Sequence, residues 1–480
     1  MTKSNVLANM GRKENPQNYA DKDGHLKPVL GLKDMVAMGI GTVVGAGIFT
    51  MPGIVAADYA GPAVVISFIV AAFVAGLSAL SYSELASAMP FAGSIYSWAN
   101  VIFGEFMGWV AGWAVLSEYL IALAFVSSAW SSYFQGFVNS FGIKLPAAIS
   151  GSFNPAKGQF IDLFGALALI GVGLLVMRGV KAAAIVENWL VILKVAVIIL
   201  FIVVGLTAVQ VNNWVPFVPA HRAGTDFGGG IGILHGASQV FFAYIGFDTI
   251  AANSAEVKNP QKTMPRAIIG TLLIATVLFV AVSAVLTGMF PYERYAGNAE
   301  PAAWALRQTG HFFTANLLSI VALVGMFTGL IALMVGGSRL LYSFGRDGLI
   351  PQQIGKLDKR GLPGNATVLM LVAAVFLGSI FPINLLSNLV SAGTLIAFIL
   401  ASVGVLLLRR RKDIVNTGYK VPGYPVIPIL AALSAAGLFL TLNVDALILM
   451  AGWLAIGIVL YFVYGIRHST KNKVEADSKS

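Results

Sequence analysis

The sequence predicts an all-α membrane protein of twelve transmembrane helices, and three observations carry that reading. The composition is 57% hydrophobic and 11% charged over 480 residues, against roughly 25% charged in soluble domains. Twelve apolar runs are long enough to cross lipid. The lysines and arginines between those runs fall overwhelmingly on alternate loops.

A bilayer core needs roughly 20 apolar residues per helix. The runs lie at 34–58, 62–88, 103–135, 160–178, 184–209, 229–254, 267–290, 313–341, 365–381, 385–408, 425–442 and 446–466. With residue 1 in the cytoplasm and the loops alternating, 25 of the 31 basic residues are cytoplasmic. Five (Lys144, Lys157, Arg222, Arg294 and Arg307) are external, and Lys194 falls inside a span. The positive-inside rule then places both termini inside, with residues 1–33 as a cytoplasmic leading segment and 467–480 as a cytoplasmic tail in a cell-membrane protein. The net charge of +10 sets topology in membrane lipid and does not indicate nucleic acid. The longest polar stretches are 1–33, 139–158 and the tail from about 468, so no soluble domain is expected. The absence of cysteine excludes disulfides, thiolate metal sites and cysteine nucleophiles together. The polar N-terminus has no short apolar core followed by a cleavage site, so no cleaved signal peptide is expected.

Along the chain, the first span carries Gly39, Gly41, Gly45 and Gly47 in GIGTVVGAGIF, followed by Pro52. Four glycines in nine residues exceed what one packing face needs, and non-helical backbone inside hydrocarbon survives only where it lines a cavity. The first helix is therefore expected to break. The same run resembles a dinucleotide-binding glycine loop, but that motif must open a soluble βαβ unit. Glu84, at the cytoplasmic end of the second span, reads as a structural partner. Gly104, Gly108 and Gly112 of the third span read as a packing face. Glu118 lies deep in that span, where an unpaired carboxylate is expensive; it is expected to pair with Lys194 or to face an aqueous cavity. The sixth span carries FFAYIGFDT, in which Gly246 and Asp248 interrupt an apolar helix. Asp248 reads as a cap on the second half of that helix, the alternative being a place near cargo. Arg346 and Asp347, at the cytoplasmic end of the eighth span, read as fixing loop structure.

Gly47 and Gly246 lie about 200 residues, or five spans, apart. Five is odd, so a second unit starting near residue 229 enters the membrane with the opposite orientation to the first. This is the pattern of an inverted repeat, 34–209 and 229–408, whose broken helices meet at the midplane, with 425–466 as two further helices. Exposed amides at a half-helix N-terminus bind a carboxylate, and freed carbonyls at a half-helix C-terminus bind an ammonium. An α-amino acid carries both groups on one carbon.

At these residues the chain resembles the amino acid-polyamine-organocation (APC) transporters, and within them the bacterial relatives of cationic amino acid transporters. The matching stretches are LGLKDMVAMGIGTVVGAGIF (30–49), YSELASAMPFAGSIYSW (82–98), FFAYIGFDTIAANSAEVKNPQKTMPRAI (241–268) and GGSRLLYSFGRDGLIP (336–351). The resemblance implies the APC fold, a five-plus-five inverted repeat with broken helices 1 and 6 plus two more helices, and secondary active transport of an L-amino acid. It places the substrate carboxylate on the backbone of Ala46 and Gly47, with Val43 beside the ammonium. It places the ammonium on carbonyls of Phe242, Ala243 and Ile245, with the Phe242 ring closing over the substrate. Some relatives carry serine or threonine where this chain has Ala46, so the amides are expected to do the holding.

Other classes find less support. There is no HExxH, GxSxG or phosphate-loop motif, and the histidines are scattered, with only His235 inside a span, where helix packing is the expected role. No enzyme activity and no cofactor are expected. An amino acid sensor would be expected to add a signalling domain, against which the short tails argue. The resemblance suggests arginine or lysine as cargo, but Val43, Ala46, Phe242, Ala243 and Ile245 offer no carboxylate, so neutral cargo (alanine, serine or branched-chain) is expected. Coupling falls to Lys194. Desolvation disfavours the charged form of an amine, so a buried lysine can release a proton on one side of the membrane and regain it on the other. In proton-coupled relatives a fifth-span lysine occupies the place of sodium, and Lys194 matches it in the helix. The expectation is proton-coupled uptake with Lys194, and with less weight Glu118, as coupling residues. Exchange of internal for external substrate is the alternative.

Overall fold

The computed structural model describes residues 9–16, 29–90, 94–179, 183–252, 254–414 and 416–471. Most of the 1–33 segment, the tail beyond Lys471 and the Asp248 side chain with its expected cap lie outside the described residues. Among the described residues the regular structure is helical apart from three isolated β-bridges.

The first apolar run is two helices, α1 (Leu32–Val43) and α2 (Ala46–Val55), continued by a π-helical turn to Ala60. The second run is α3 (Val64–Ala88), joined by α4 (Ser94–Ile102) to α5 (Glu105–Asn139), the third span. The fourth and fifth runs are α6 (Leu163–Arg178) and α7 (Ala183–Leu206). The sixth is again broken, into α8 (Gly229–Val240), a 3-10 turn (Phe241–Tyr244) and α9 (Phe247–Ala252). There follow α10 (Pro260–Met289), the loop helix α11 (Pro301–Gln308), α12 (Phe312–Arg346), α13 (Gly364–Ile380), α14 (Ile383–Leu408), α15 (Val426–Leu440) and α16 (Val444–Leu460). Each of the twelve apolar runs is thus helical. Among the described residues, seven helical stretches are long and apolar enough to cross a membrane by length and composition. Helices α6, α13 and α15 hold 15 to 17 residues, about 22–26 Å at 1.5 Å per residue, short of a hydrocarbon core of about 30 Å.

Burial ranks the helices. The most apolar window of α5 is 94% buried, whereas that of Val444–His468 is 22% buried, so α5 is the central post and the last helix lies at the periphery. Gly108 and Gly112 explain how α5 packs so closely: a Cβ on Gly108 would fall 2.5 Å from the Asn100 side chain, and one on Gly112 would fall 2.7 Å from both Tyr96 and Phe344. Gly104 also serves a close approach, to backbone outside the helices. It stands outside α5 as its N-cap with φ +108°, against the backbone of Gly11, a conformation that favours glycine. Glu84 is 1% exposed and takes a bidentate pair from Arg409 (2.8 and 2.8 Å) together with the Val421 amide (2.6 Å). That joins α3 to the end of α14, as a structural partner should. Asp347 likewise receives Arg346 at 3.0 Å and the Tyr96 hydroxyl at 2.7 Å, fixing the end of α12. The His235 ring stacks on Tyr59 and lies 3.6 Å from Asp226. At the entry to α1, the amides of Val29 and Leu30 donate to the Glu256 carbonyl (both 2.9 Å), and that of Lys258 donates to the Leu30 carbonyl (2.8 Å). The start of the first helix is thereby tied to the exit of the sixth.

Candidate functional site

Both breaks sit where glycine permits them. Between α1 and α2, Val44 leaves the helical region and Gly45 takes φ −134°, ψ −138°. Between the Phe241–Tyr244 turn and α9, Ile245 is extended and Gly246 takes φ +132°, a region that L side chains avoid. The two breaks touch. A Cβ on Gly47 would fall 2.6 Å from Ala243 Cβ and 3.0 Å from its Cα, while one on Gly246 would fall 2.8 Å from Val43 Cγ2 and 2.9 Å from Val43 N. Each break thus needs its own glycine to let the other helix approach.

Their meeting forms the wall of a cavity of about 60 Å³. At ~10–15 Å³ per water on this measure, the space suits several waters or a small solute. Val43, Ala46, Gly47, Phe242, Ala243 and Ile245 all line it, together with Gly41, Thr42 and Gly45. The opposite kinds of helix end face it together. Ala46 and Gly47 begin α2, where amides have no intrahelical acceptor and the helix dipole is positive. The carbonyls of the Phe241–Tyr244 turn end α8; that of Phe242 already accepts the Ile245 amide at 2.9 Å, keeping one lone pair for a further donor. The Phe242 amide donates to Ser391 Oγ (3.2 Å), and its ring meets that of Phe125 edge-on at 4.4 Å, so α5 and α14 hold the turn in place.

The remaining lining comes from Ala122 and Val126 of α5 and from Gly325, Met326, Gly329 and Leu333 of α12. Sequence reasoning named none of these. Their signal was spacing: 122 and 126, and 325, 329 and 333, recur at i, i+4, which puts each set on one helix face. Small and aliphatic residues at that spacing look like ordinary membrane packing. Among the described residues no acidic one belongs to the lining.

Lys194 and Glu118 lie outside the lining but close behind it. Lys194, 1% exposed, donates from Nζ to the Gly41 carbonyl at 3.0 Å, just before the first break. A Cβ on Gly325 would fall 2.6 Å from Lys194 Cε, so the lysine runs behind the glycine walls of α1 and α12. A carbonyl of the first helix is thus one partner that the lysine holds. Glu118, also 1% exposed, sits one turn before Ala122 on α5.

The far end of α2 meets the loop that carries α11. Tyr133 Oη donates to the Phe49 carbonyl (2.7 Å), Thr50 Oγ1 donates to the Ala299 carbonyl (3.1 Å), and Pro301 sits on Gly53. Glu300 of this loop packs on Gly136 of α5 and pairs with Arg307. Burial, outweighing the opposing pull of Arg307, raises its carboxyl to about 7.

Comparison with known proteins gives a consistent picture. The sequence model of a family described as amino acid permease matches residues 30–474. A branched-chain amino acid permease of Lactococcus lactis is 48% identical over 96% of this chain and 99% of that protein. A methylthioribose transporter of Bacillus subtilis is 38% identical over 94% of this chain and 96% of that protein. A vacuolar cationic amino acid transporter of Arabidopsis thaliana is 34% identical over 81% of this chain and 64% of that protein.

Proposed function

The chain belongs to the amino acid permease family of the APC transporters, a multi-pass membrane transporter and not an enzyme, and from that premise we propose proton-coupled uptake of neutral L-amino acids, branched-chain ones foremost. The observation that carries this reading is a cavity where both helix breaks meet, with a helix N-terminus and a helix C-terminus facing it and apolar walls elsewhere among the described residues. The α2 amides of Ala46 and Gly47 take the carboxylate, and the carbonyls of Phe242, Ala243 and Ile245, with Val43 alongside, take the ammonium. The α5 and α12 walls take the side chain. The name of the Lactococcus lactis relative supports branched-chain cargo. The cationic name of the Arabidopsis relative finds no carboxylate among the described lining residues to meet a charged side chain. Alanine and serine are smaller cargoes that the same head site would hold.

A competition panel of the twenty L-amino acids against labelled leucine in proteoliposomes tests the substrate. Leucine, isoleucine and valine are expected to compete at least ~10-fold better than arginine or lysine, because a buried charge without a partner is costly. The reverse ranking would overturn neutral cargo.

The same reading has twelve spans, repeats at 34–209 and 229–408, two further helices at 425–466 and both termini in the cytoplasm of a cell membrane. Cysteines introduced at Lys144 or Arg294 are expected to label from outside intact cells, and those at Lys412 or Lys471 to be protected. The absence of native cysteine leaves no background. Labelling with the opposite polarity would invert the proposed orientation. Exchange of internal for external substrate remains the alternative mode, and Lys194 separates the two.

A further inference from the structure

Several glycines line the cavity, and they differ in what surrounds them. Gly47 is needed by Ala243, and Gly325 by Lys194. Glycine in a membrane helix ordinarily serves such close approaches. Gly329 does not: a Cβ built there meets no atom within 4 Å, yet the residue belongs to the cavity wall. It lies one turn from Gly325 and one turn from Leu333 on α12, and both line the same cavity. Residues four apart share a helix face, so a side chain at 329 would enter the cavity. With the two breaks occupied by the carboxylate and the ammonium, the space beside α12 is left to the cargo's side chain.

Resting on the amino acid reading above, we infer that Gly329 is the size filter of this transporter, its missing side chain leaving the room that a branched aliphatic cargo fills. A methyl group at 329 takes volume that leucine or isoleucine needs and that alanine leaves vacant. One methylene in an apolar pocket discriminates by about 10–200-fold, and Gly329→Ala should act within that range on the ratio of leucine to alanine binding. Gly329→Val should act more strongly. Gly325→Ala provides the contrast, since its Cβ would strike Lys194 Cε at 2.6 Å and so penalise every cargo alike.

The test measures leucine and alanine binding to the full chain in detergent, by the thermal stabilisation each gives, for wild type, Gly329→Ala, Gly329→Val and Gly325→Ala. Unliganded melting temperatures report folding separately. The expected result is a leucine-to-alanine ratio that falls ~10-fold or more in Gly329→Ala, falls further in Gly329→Val, and stays constant in Gly325→Ala. Equal losses for both ligands in the Gly329 variants, or no change in either, would overturn the size filter while leaving the permease reading intact. A wild-type chain that bound no amino acid would overturn the amino acid reading, and the filter with it.

Discussion

Lys194→Ala is expected to abolish accumulation of leucine against its gradient in proteoliposomes under an imposed pH step, with leucine binding retained. Lys194 does not line the cavity, so its removal deletes no substrate contact. It does delete the hydrogen bond to the Gly41 carbonyl, and a charged hydrogen bond contributes about 1.5–3 kcal/mol. That bond fixes the end of α1 immediately before the break. On the proposed coupling, a protonated Lys194 braces α1 at this carbonyl and a neutral one would loosen it, which would link the proton to movement of the first helix. Exchange of internal for external leucine needs no net proton movement and should persist in the variant. Uphill uptake by Lys194→Ala in response to the pH step would remove Lys194 from coupling.

Gly47→Leu is expected to eliminate detectable binding. The sequence alone gives one reason, that a side chain there would obstruct approach to the α2 amides. The structure gives a stronger one. The first carbon of any side chain at 47 falls 2.6 Å from Ala243 Cβ and 3.0 Å from Ala243 Cα, and a backbone carbon cannot rotate away. The substitution is therefore expected to drive α2 and the Phe241–Tyr244 turn apart, separating the proposed carboxylate and ammonium subsites. Gly47→Ala, which adds only that carbon, should already weaken binding, as overpacking by a methylene costs about 1–3 kcal/mol. Titration of labelled leucine against both variants checks this, and near-normal affinity in Gly47→Ala would show that the two helices are not in contact when substrate is bound.

Much of this architecture was legible in the sequence because a lipid environment leaves few options. A run of apolar residues in a bilayer must satisfy its own amides, so length and composition located all twelve helical runs. Clustered glycines located the break in the first span, and Gly246 with Asp248 in an apolar run located that in the sixth, where φ +132° at Gly246 is available to few other residues. Two kinds of information were hidden. Residues distant in sequence meet through the fold: the Glu84 carboxylate was read as structural, but its partner Arg409, 325 residues away, carries no local mark. The α5 and α12 walls were hidden for another reason. Ala122, Val126, Gly325 and Gly329 are residue types that membrane helices use everywhere for packing, and only the position of the breaks turns that face into a cavity wall. Gly104 shows a further hidden use, a packing glycine that also takes φ +108° at the start of α5.

The central claim is that the two broken helices hold the two charged ends of an amino acid. It is tested most directly by comparing the affinities of leucine, N-acetyl-leucine and leucinamide, with methylthioribose as a ligand that carries neither group, in one competition assay on the wild-type chain. Leucine is expected to bind, and each blocked form to lose at least ~100-fold, since a charge-assisted contact to a helix end is removed and its buried partners are left unpaired. Methylthioribose is expected not to compete. Binding of N-acetyl-leucine or methylthioribose as tight as that of leucine would contradict recognition of the zwitterionic head at the paired breaks.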